Sequence, residues 1–319
     1  MSVDFAAFFN RTDLVYKTLD GVPFVEAAVL IPKSLAPDPS KSYPVLVHFH
    51  GGALIVGTNP DPSFFARWII ELSTTTPAII ISPAYRLIPE ATGADILADV
   101  SSFFTWLHTS FAPSLAAVLP PDQFPTPDLT RIAAVGESAG GYLSIQAGLL
   151  FNDHAKIKAV GAAYPAQYPD AEAYNPRRKG DAEAEAVVDA YLEKVKNGDL
   201  PIRVSSPWPK GKELVEAMCK TGRHREMMGD DERLGITKAV KAAREGGWEV
   251  PAIWVIQGED DDLVPKAGAD FVVTKIQEGL PKTPVKYTVE PGPHLLDLEC
   301  GMDVPWVKEG VEFMKKFWL

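Results

Sequence analysis

The stretch Ile132-Ala133-Ala134-Val135-Gly136-Glu137-Ser138-Ala139-Gly140-Gly141 decides how this chain is read. Four apolar residues run into G-x-S-x-G, and a helical pattern follows. This is the strand, tight turn and helix that lift a serine hydroxyl clear of a sheet. The turn works only if its neighbours are small, and Gly136 and Gly140 supply that room. A lone G-x-S-x-G also arises by chance, as a glycine-rich turn with a serine cap. A second motif argues against that bland reading. The apolar run Val45-Leu46-Val47-His48-Phe49 ends in His50-Gly51-Gly52-Ala53. Its backbone N–H groups suit the upstream oxyanion hole that such a nucleophile requires. In this order and context the two motifs imply acyl transfer by a serine.

Composition narrows the class. The 319 residues carry a formal net charge of −11, and 46% are hydrophobic. The length fits one large domain with an insertion, and the apolar content is ample for its core. The acidic balance disfavours nucleic acid and anionic membrane as partners. Cys219 and Cys300 are the two cysteines, which make neither a disulfide framework nor a metal motif and read as free thiols in a reducing compartment. No secretory signal or membrane-spanning run is visible, so a cytoplasmic protein with no membrane insertion is expected, monomer or homodimer.

Apolar runs alternate with amphipathic stretches, the pattern of a mostly parallel sheet covered on both faces. Strands are predicted at 22–31, 45–49, 78–82, 132–135, 157–163, 252–257 and 285–290, and helices at 63–72, 95–109, 140–151, 266–279 and 304–318. Residues 113–127 contain five prolines and read as a surface loop. Phe5, Phe8 and Phe9 have helical spacing. Residues 168–249 break the alternation, with charge-rich helical pieces at 181–196 and 210–221.

With these pieces the chain resembles the α/β-hydrolase superfamily, in its hormone-sensitive-lipase-like esterase group. The resemblance rests on His50-Gly51-Gly52-Ala53, Tyr85-Arg86-Leu87-Ile88-Pro89-Glu90, Asp99-Val100, Asp128-Leu129-Thr130-Arg131-Ile132 and Gly136 to Gly141, in family order. The group more often has glycine at Ala53 and aspartate at Glu137. The resemblance implies an α/β-hydrolase core over 1–167 and 250–319. It also implies a helical lid over 168–249, to which 1–20 could add.

A serine nucleophile needs a base and an orienting acid, in chain order Ser…Asp/Glu…His. Of six histidines, His50 precedes the serine, His48 reads as core, and His108, His154 and His224 read as solvated. His294, in the turn-rich Glu290-Pro291-Gly292-Pro293-His294, stands where the resemblance places the base. Four carboxylates, Glu259 to Asp262, follow the strand at 252–257. The family pattern G-x-x-D-x-x-V-P fits Gly258-x-x-Asp261-x-x-Val264-Pro265 and selects Asp261, with Asp170 the alternative. The expected machinery is Ser138, His294 and Asp261, with backbone donors from Gly51, Gly52 and Ala139, and no metal or organic cofactor. Glu137 is expected to pack beneath the site, and an Arg86–Asp99 pair to brace the oxyanion loop.

The expected activity is hydrolysis of an ester or lactone of a small, apolar, uncharged molecule. Amidase, thioesterase, acyltransferase or cyclase chemistry would use the same triad, and a hydrolase-like receptor would be expected to lack a triad member. Within the insertion Trp208, Met227 and Met228 are expected to line an apolar pocket. Arg177, Arg178 and Lys179 would serve instead if the substrate were anionic.

Overall fold

A computed structural model describes residues 3–38, 40–167, 170 and 181–319. Among the described residues eight strands form one sheet in the order β1-β2-β4-β3-β5-β6-β7-β8. They are β1 Phe9–Lys17, β2 Val25–Pro32, β3 Ser42–Phe49, β4 Ile79–Pro83, β5 Thr126–Glu137, β6 Ile157–Ala163, β7 Ala252–Gly258 and β8 Val285–Glu290. β1 and β2 pair antiparallel, and β2 lies antiparallel against β4. From β4 across to β8 every pairing is parallel.

The strands sort their side chains with period two. Val45, Val47, Phe49, Ile132 and Ala134 belong to one apolar core. Leu46, Ala133 and Val135 belong to the other. The first core is covered by α3 Gly93–Thr109, α5 Ala139–Leu150, α10 Ile236–Gly246 and α11 Lys266–Gly279. α2 Arg67–Thr75 and α12 Pro305–Trp318 cover the second with Trp68, Ile69, Val307, Val311 and Met314. All twelve residues of α5 are buried, and α6 Asn152–Ala155, α7 Ala182–Lys196 and α8 Lys212–Thr221 follow it along the chain. A strand covered on both faces reads as a near-continuous apolar run, and for that reason the central strands were legible in the sequence.

Two expectations change at the periphery. The helical spacing of Phe5, Phe8 and Phe9 yields only the short α1 Phe5–Phe8. Phe9 already begins the sheet-edge strand β1, which the sequence reading missed. Leu14 and Tyr16 face one core and Phe9 the other, and the exposed Asn10, Arg11 and Asp13 between them hide the pattern. The proline-rich stretch is also less open than expected. It begins inside α4 Phe111–Val118, whose Phe111 and Leu115 are buried, and ends in the first residues of β5.

The sheet brings the motifs together. Phe49 pairs with Gly136 across β3 and β5, so the His50-Gly51-Gly52-Ala53 segment leaves the sheet beside the serine turn. Gly258 pairs with Glu290 across β7 and β8, so the carboxylate loop and the histidine loop also leave side by side. β6 stands between the two pairs. Four loops from distant sequence thus converge at the carboxyl ends of the strands, where open α/β sheets bind ligands.

Candidate active site

Ser138 occupies the turn between β5 and α5 with φ 56° and ψ −114°. This backbone is unfavourable for a side-chain-bearing residue and persists only where its surroundings enforce it. The enforcement is visible. Ser138 N–H donates to the Ala163 carbonyl at 2.9 Å, and its own carbonyl accepts from Tyr142 N–H at 3.0 Å. A Cβ on Gly140 would collide with the Phe49 carbonyl. β3 therefore approaches the turn as closely as glycine permits. Ala139 opens α5, and the first N–H groups of a helix have no partner within it. The helix dipole adds positive potential there.

The segment after β3 is similarly shaped. Gly52, Ala53 and Leu54 have φ of 103°, 59° and 61° in succession. A Cβ on Gly52 would collide with the Val56 carbonyl, so glycine is required for space as well as for φ. The Gly52 carbonyl accepts from Ile55 and Val56 N–H, each at 3.0 Å. His50 is buried and stacks on Tyr85, with ring centroids 4.3 Å apart. The Tyr85 hydroxyl donates to the His50 carbonyl at 2.8 Å. Burial lowers the His50 pKa to about 4, so its imidazole is neutral at physiological pH and serves as scaffold.

His294 Nδ1 lies 2.8 Å from Asp261 Oδ2. The other carboxylate oxygen of Asp261 accepts from Leu263 N–H at 3.0 Å and Val264 N–H at 2.8 Å. One side of the carboxylate is thus fixed by the backbone and the other is turned to the imidazole. Asp260 points elsewhere and accepts from Gly292 N–H at 3.2 Å, joining the two loops. Asp170 accepts from Ile236 N–H at 2.8 Å at the start of α10. It caps a helix and does not face His294.

Beneath these groups lies a buried polar layer. Glu137 accepts from Ala66 N–H at 3.2 Å, and its other oxygen is 2.9 Å from His48 Nε2. Asp297 is fully buried and accepts from Tyr164 O–H at 2.6 Å and Trp68 Nε1–H at 2.8 Å. Burial, aided by the charge of Glu137, raises the Asp297 pKa to about 6. The Tyr164 ring meets His294 edge-on at 4.6 Å, linking this layer to the imidazole.

Ser138 and His294 open into one cavity of about 490 Å³. Its walls include Gly52, Ala53, Phe64, Leu263 and Leu295 from the core. Trp208, Val215, Cys219 and His224 enter from the 168–249 stretch. No lysine or arginine lines it among the described residues. Trp208 meets Phe64 edge-on at 6.1 Å and is still 36% exposed, which puts it at the rim.

Three expectations are corrected here. Met227 and Met228 do not line the cavity but are buried in the apolar core. His224, read from sequence as solvated, is buried and does line it. One cause explains all three. In α9 His224–Met228, residues 224, 227 and 228 share the inward face, while the cations of Arg223 and Arg225 made the segment look like surface. The i, i+3, i+4 spacing was the available signal. Burial lowers the His224 pKa to about 4, so it adds no charge to the cavity at neutral pH. Arg177, Arg178 and Lys179 lie outside the described residues.

The Arg86–Asp99 pair exists, with Nε and Nη2 at 2.8 and 2.9 Å from the carboxylate. It ties the segment after β4 to α3. A different cation, Arg203, touches the loop that follows Gly52, its guanidinium donating to the Ile55 carbonyl at 3.1 Å. Sequence reasoning missed Arg203 because nothing in its spacing separates it from other charges of the insertion.

Comparison with known proteins gives a consistent result. The family described as alpha/beta hydrolase fold matches residues 46–234. The chain is 32% identical to a probable carboxylesterase M8 of a Phoma species, over 98% of this chain and 97% of that one. It is 36% identical to a probable carboxylesterase clz11 of Cochliobolus lunatus, over 59% of this chain and 86% of the relative. Among solved structures, the esterase 2 of Thermogutta terrifontis phosphonylated by sarin superposes with a TM-score of 0.60 at 15% identity, covering 97% of this chain and 94% of that one. No helix among the described residues is long and apolar enough to cross a membrane.

Proposed function

We propose, because this chain belongs to the alpha/beta hydrolase family, that it is a carboxylic-ester hydrolase acting through Ser138, His294 and Asp261 on a small, apolar, uncharged ester or lactone. The observation that carries this reading is the Asp261–His294 pair, 2.8 Å apart, opening with the strained Ser138 onto one apolar cavity. Ser138 Oγ attacks the acyl carbonyl as His294 takes its proton. The tetrahedral oxyanion accepts N–H bonds from Ala139 and the Gly51-Gly52 segment. His294 then protonates the leaving alcohol, and water releases the acyl group by the same route in reverse. Asp261 holds the imidazole with its proton on Nδ1 and stabilises the imidazolium.

The 168–249 stretch acts as a lid in this reading, since it contributes Trp208, Val215, Cys219 and His224 to the cavity wall. Among the described residues the wall holds no lysine or arginine to pair with an anionic substrate, and Asp262 would repel one. A panel of p-nitrophenyl acetate, butyrate and hexanoate, an anionic p-nitrophenyl hemisuccinate, and the butyryl amide and thioester tests this. Neutral esters should exceed the hemisuccinate by about tenfold or more in kcat/KM, the scale of one unpaired desolvated group. Trp208→Ala should redistribute rates along the acyl series. Met227→Ala should leave the series unchanged and destabilise the fold by about 2–5 kcal/mol. Preference for the hemisuccinate, or an amide cleaved as fast as its ester, would overturn the substrate assignment.

A further inference from the structure

The oxyanion loop is held from outside by the insertion, through one guanidinium. Arg203 Nε and Nη2 fork onto the Glu90 carboxylate at 2.7 and 2.8 Å. Nη1 donates to the Ile55 carbonyl at 3.1 Å, and Nη2 also reaches the Ile88 carbonyl at 3.2 Å. The Glu90 side chain is only 2% exposed, and its Oε1 accepts a further hydrogen bond from Tyr191 O–H at 2.6 Å. Backbone bonds flank this centre. Leu87 N–H donates to the Arg203 carbonyl at 2.8 Å, and Gly57 and Ser206 exchange both of their backbone bonds at 2.8 and 2.9 Å. Ile88 N–H donates to the Leu54 carbonyl at 2.9 Å. Residues 203–206 therefore run along the back of the loop whose front offers the oxyanion donors.

The loop needs such support. Gly52, Ala53 and Leu54 are three consecutive residues with positive φ, two of them bearing side chains. Such backbone relaxes unless its surroundings over-determine it. The carbonyls of Leu54 and Ile55, which follow directly, are the ones pinned by the Ile88 N–H and by Arg203. We infer that Arg203, oriented by Glu90 and Tyr191, is a positioning residue for the oxyanion hole and makes catalysis depend on the seating of the insertion. The inference rests on the serine mechanism proposed above. Arg203 touches neither substrate nor nucleophile in this scheme. It fixes the loop from which Gly51 and Gly52 donate, so its contribution is made chiefly in the transition state. A planar fork that serves a carboxylate and two carbonyls together has no equivalent in lysine, whose single ammonium cannot span them.

The test compares full-length wild type with Arg203→Met, Arg203→Lys and Glu90→Gln. Two readouts are taken, kcat and KM for p-nitrophenyl butyrate, and inhibition by an alkyl trifluoromethyl ketone, which forms a tetrahedral adduct. Circular dichroism and melting temperature are followed in parallel. Each variant should lose about tenfold or more in kcat with KM held within about twofold, because small displacements of positioned groups cost this much or more. Ketone inhibition should weaken by a similar factor, and added guanidinium chloride at low millimolar concentration should restore part of the kcat of Arg203→Met. Should Arg203→Met fail to fold, Arg203→Lys, which keeps the charge opposite Glu90, decides. A lower melting temperature with unchanged kcat and ketone affinity would overturn the inference and leave Arg203 a purely structural tie. So would a rise in KM alone. Failure of the serine mechanism has a separate signature, turnover retained by Ser138→Ala, which no Arg203 variant can produce.

Discussion

Asp261 is distinguished from its neighbours by what its two oxygens do. Oδ1 accepts from the N–H groups of Leu263 and Val264, and Oδ2 faces His294. In Asp261→Asn the backbone donors would keep the amide oxygen on their side and turn the NH₂ towards His294. The imidazole would then present an unprotonated Nδ1 and carry its proton on Nε2, where it cannot accept one from Ser138. A loss of roughly 10³–10⁴ in kcat is expected for this tautomer error. Asp260→Asn and Asp262→Asn should stay within about threefold on a neutral ester, since Asp261 is the carboxylate hydrogen-bonded to the imidazole and changes at exposed polar residues are usually small. Steady-state kinetics of the three variants decide the matter, and sensitivity at Asp260 or Asp262 in place of Asp261 would contradict it. This choice was available in sequence only through the resemblance, whose pattern G-x-x-D-x-x-V-P fits Gly258, Asp261 and Val264-Pro265. Spacing says nothing comparable about Arg203, whose role is written in the carbonyls of Ile55 and Ile88. Their convergence on one guanidinium is a tertiary fact.

At the scale of elements, the strand ends do the positioning and a buried polar layer stiffens them. Trp68 from α2, Tyr164 after β6 and Asp297 after His294 meet in one hydrogen-bonded group. Its cost has a definite sign. Asp297 titrates at about 6 in the folded chain, raised first by burial and then by Glu137, against about 3.9 for an unfolded aspartate. Between those values the folded state holds a proton that the unfolded state has lost. Stability from this group therefore falls as pH rises from about 4 to about 6, by on the order of 2–3 kcal/mol. His50 and His224 act oppositely. Both sit at about 4 when folded, below the usual 6.5, so their contribution is lost as pH falls from about 6.5 to about 4. Urea unfolding at pH 4 and pH 7 separates the terms. The stability of wild type relative to Asp297→Asn should be greater at pH 4 than at pH 7. A difference independent of pH would mean that folding does not raise the Asp297 pKa. Strands such as β3 and β7 were legible because sheets buried on both faces leave apolar runs. β1 was not, because an edge strand with Asn10, Arg11 and Asp13 exposed leaves no such run.

Across the whole molecule, the distribution of legibility follows the physics. The core is dictated by local pattern, and its fold follows from motifs whose glycines are sterically required. Residues 181–249 are held by contacts between segments far apart in sequence, Gly57 with Ser206 and Glu90 with Arg203, so the cavity-lining residues among them emerge only once the chain is folded. Trp208 was identified from its apolar character in a charged stretch. Met227 and Met228 share that character but are buried in the core. The central claim is that Ser138 is the nucleophile of an ester hydrolase, and covalent labelling tests it most directly. Wild type and Ser138→Ala would be treated with a fluorophosphonate, digested and mapped by mass spectrometry, with p-nitrophenyl butyrate turnover followed alongside. One phosphonyl adduct on Ser138, lost together with turnover in a folded Ser138→Ala protein, is the expected result. A folded Ser138→Ala protein that hydrolyses the ester at the wild-type rate, or an adduct that maps to another residue, would contradict the claim.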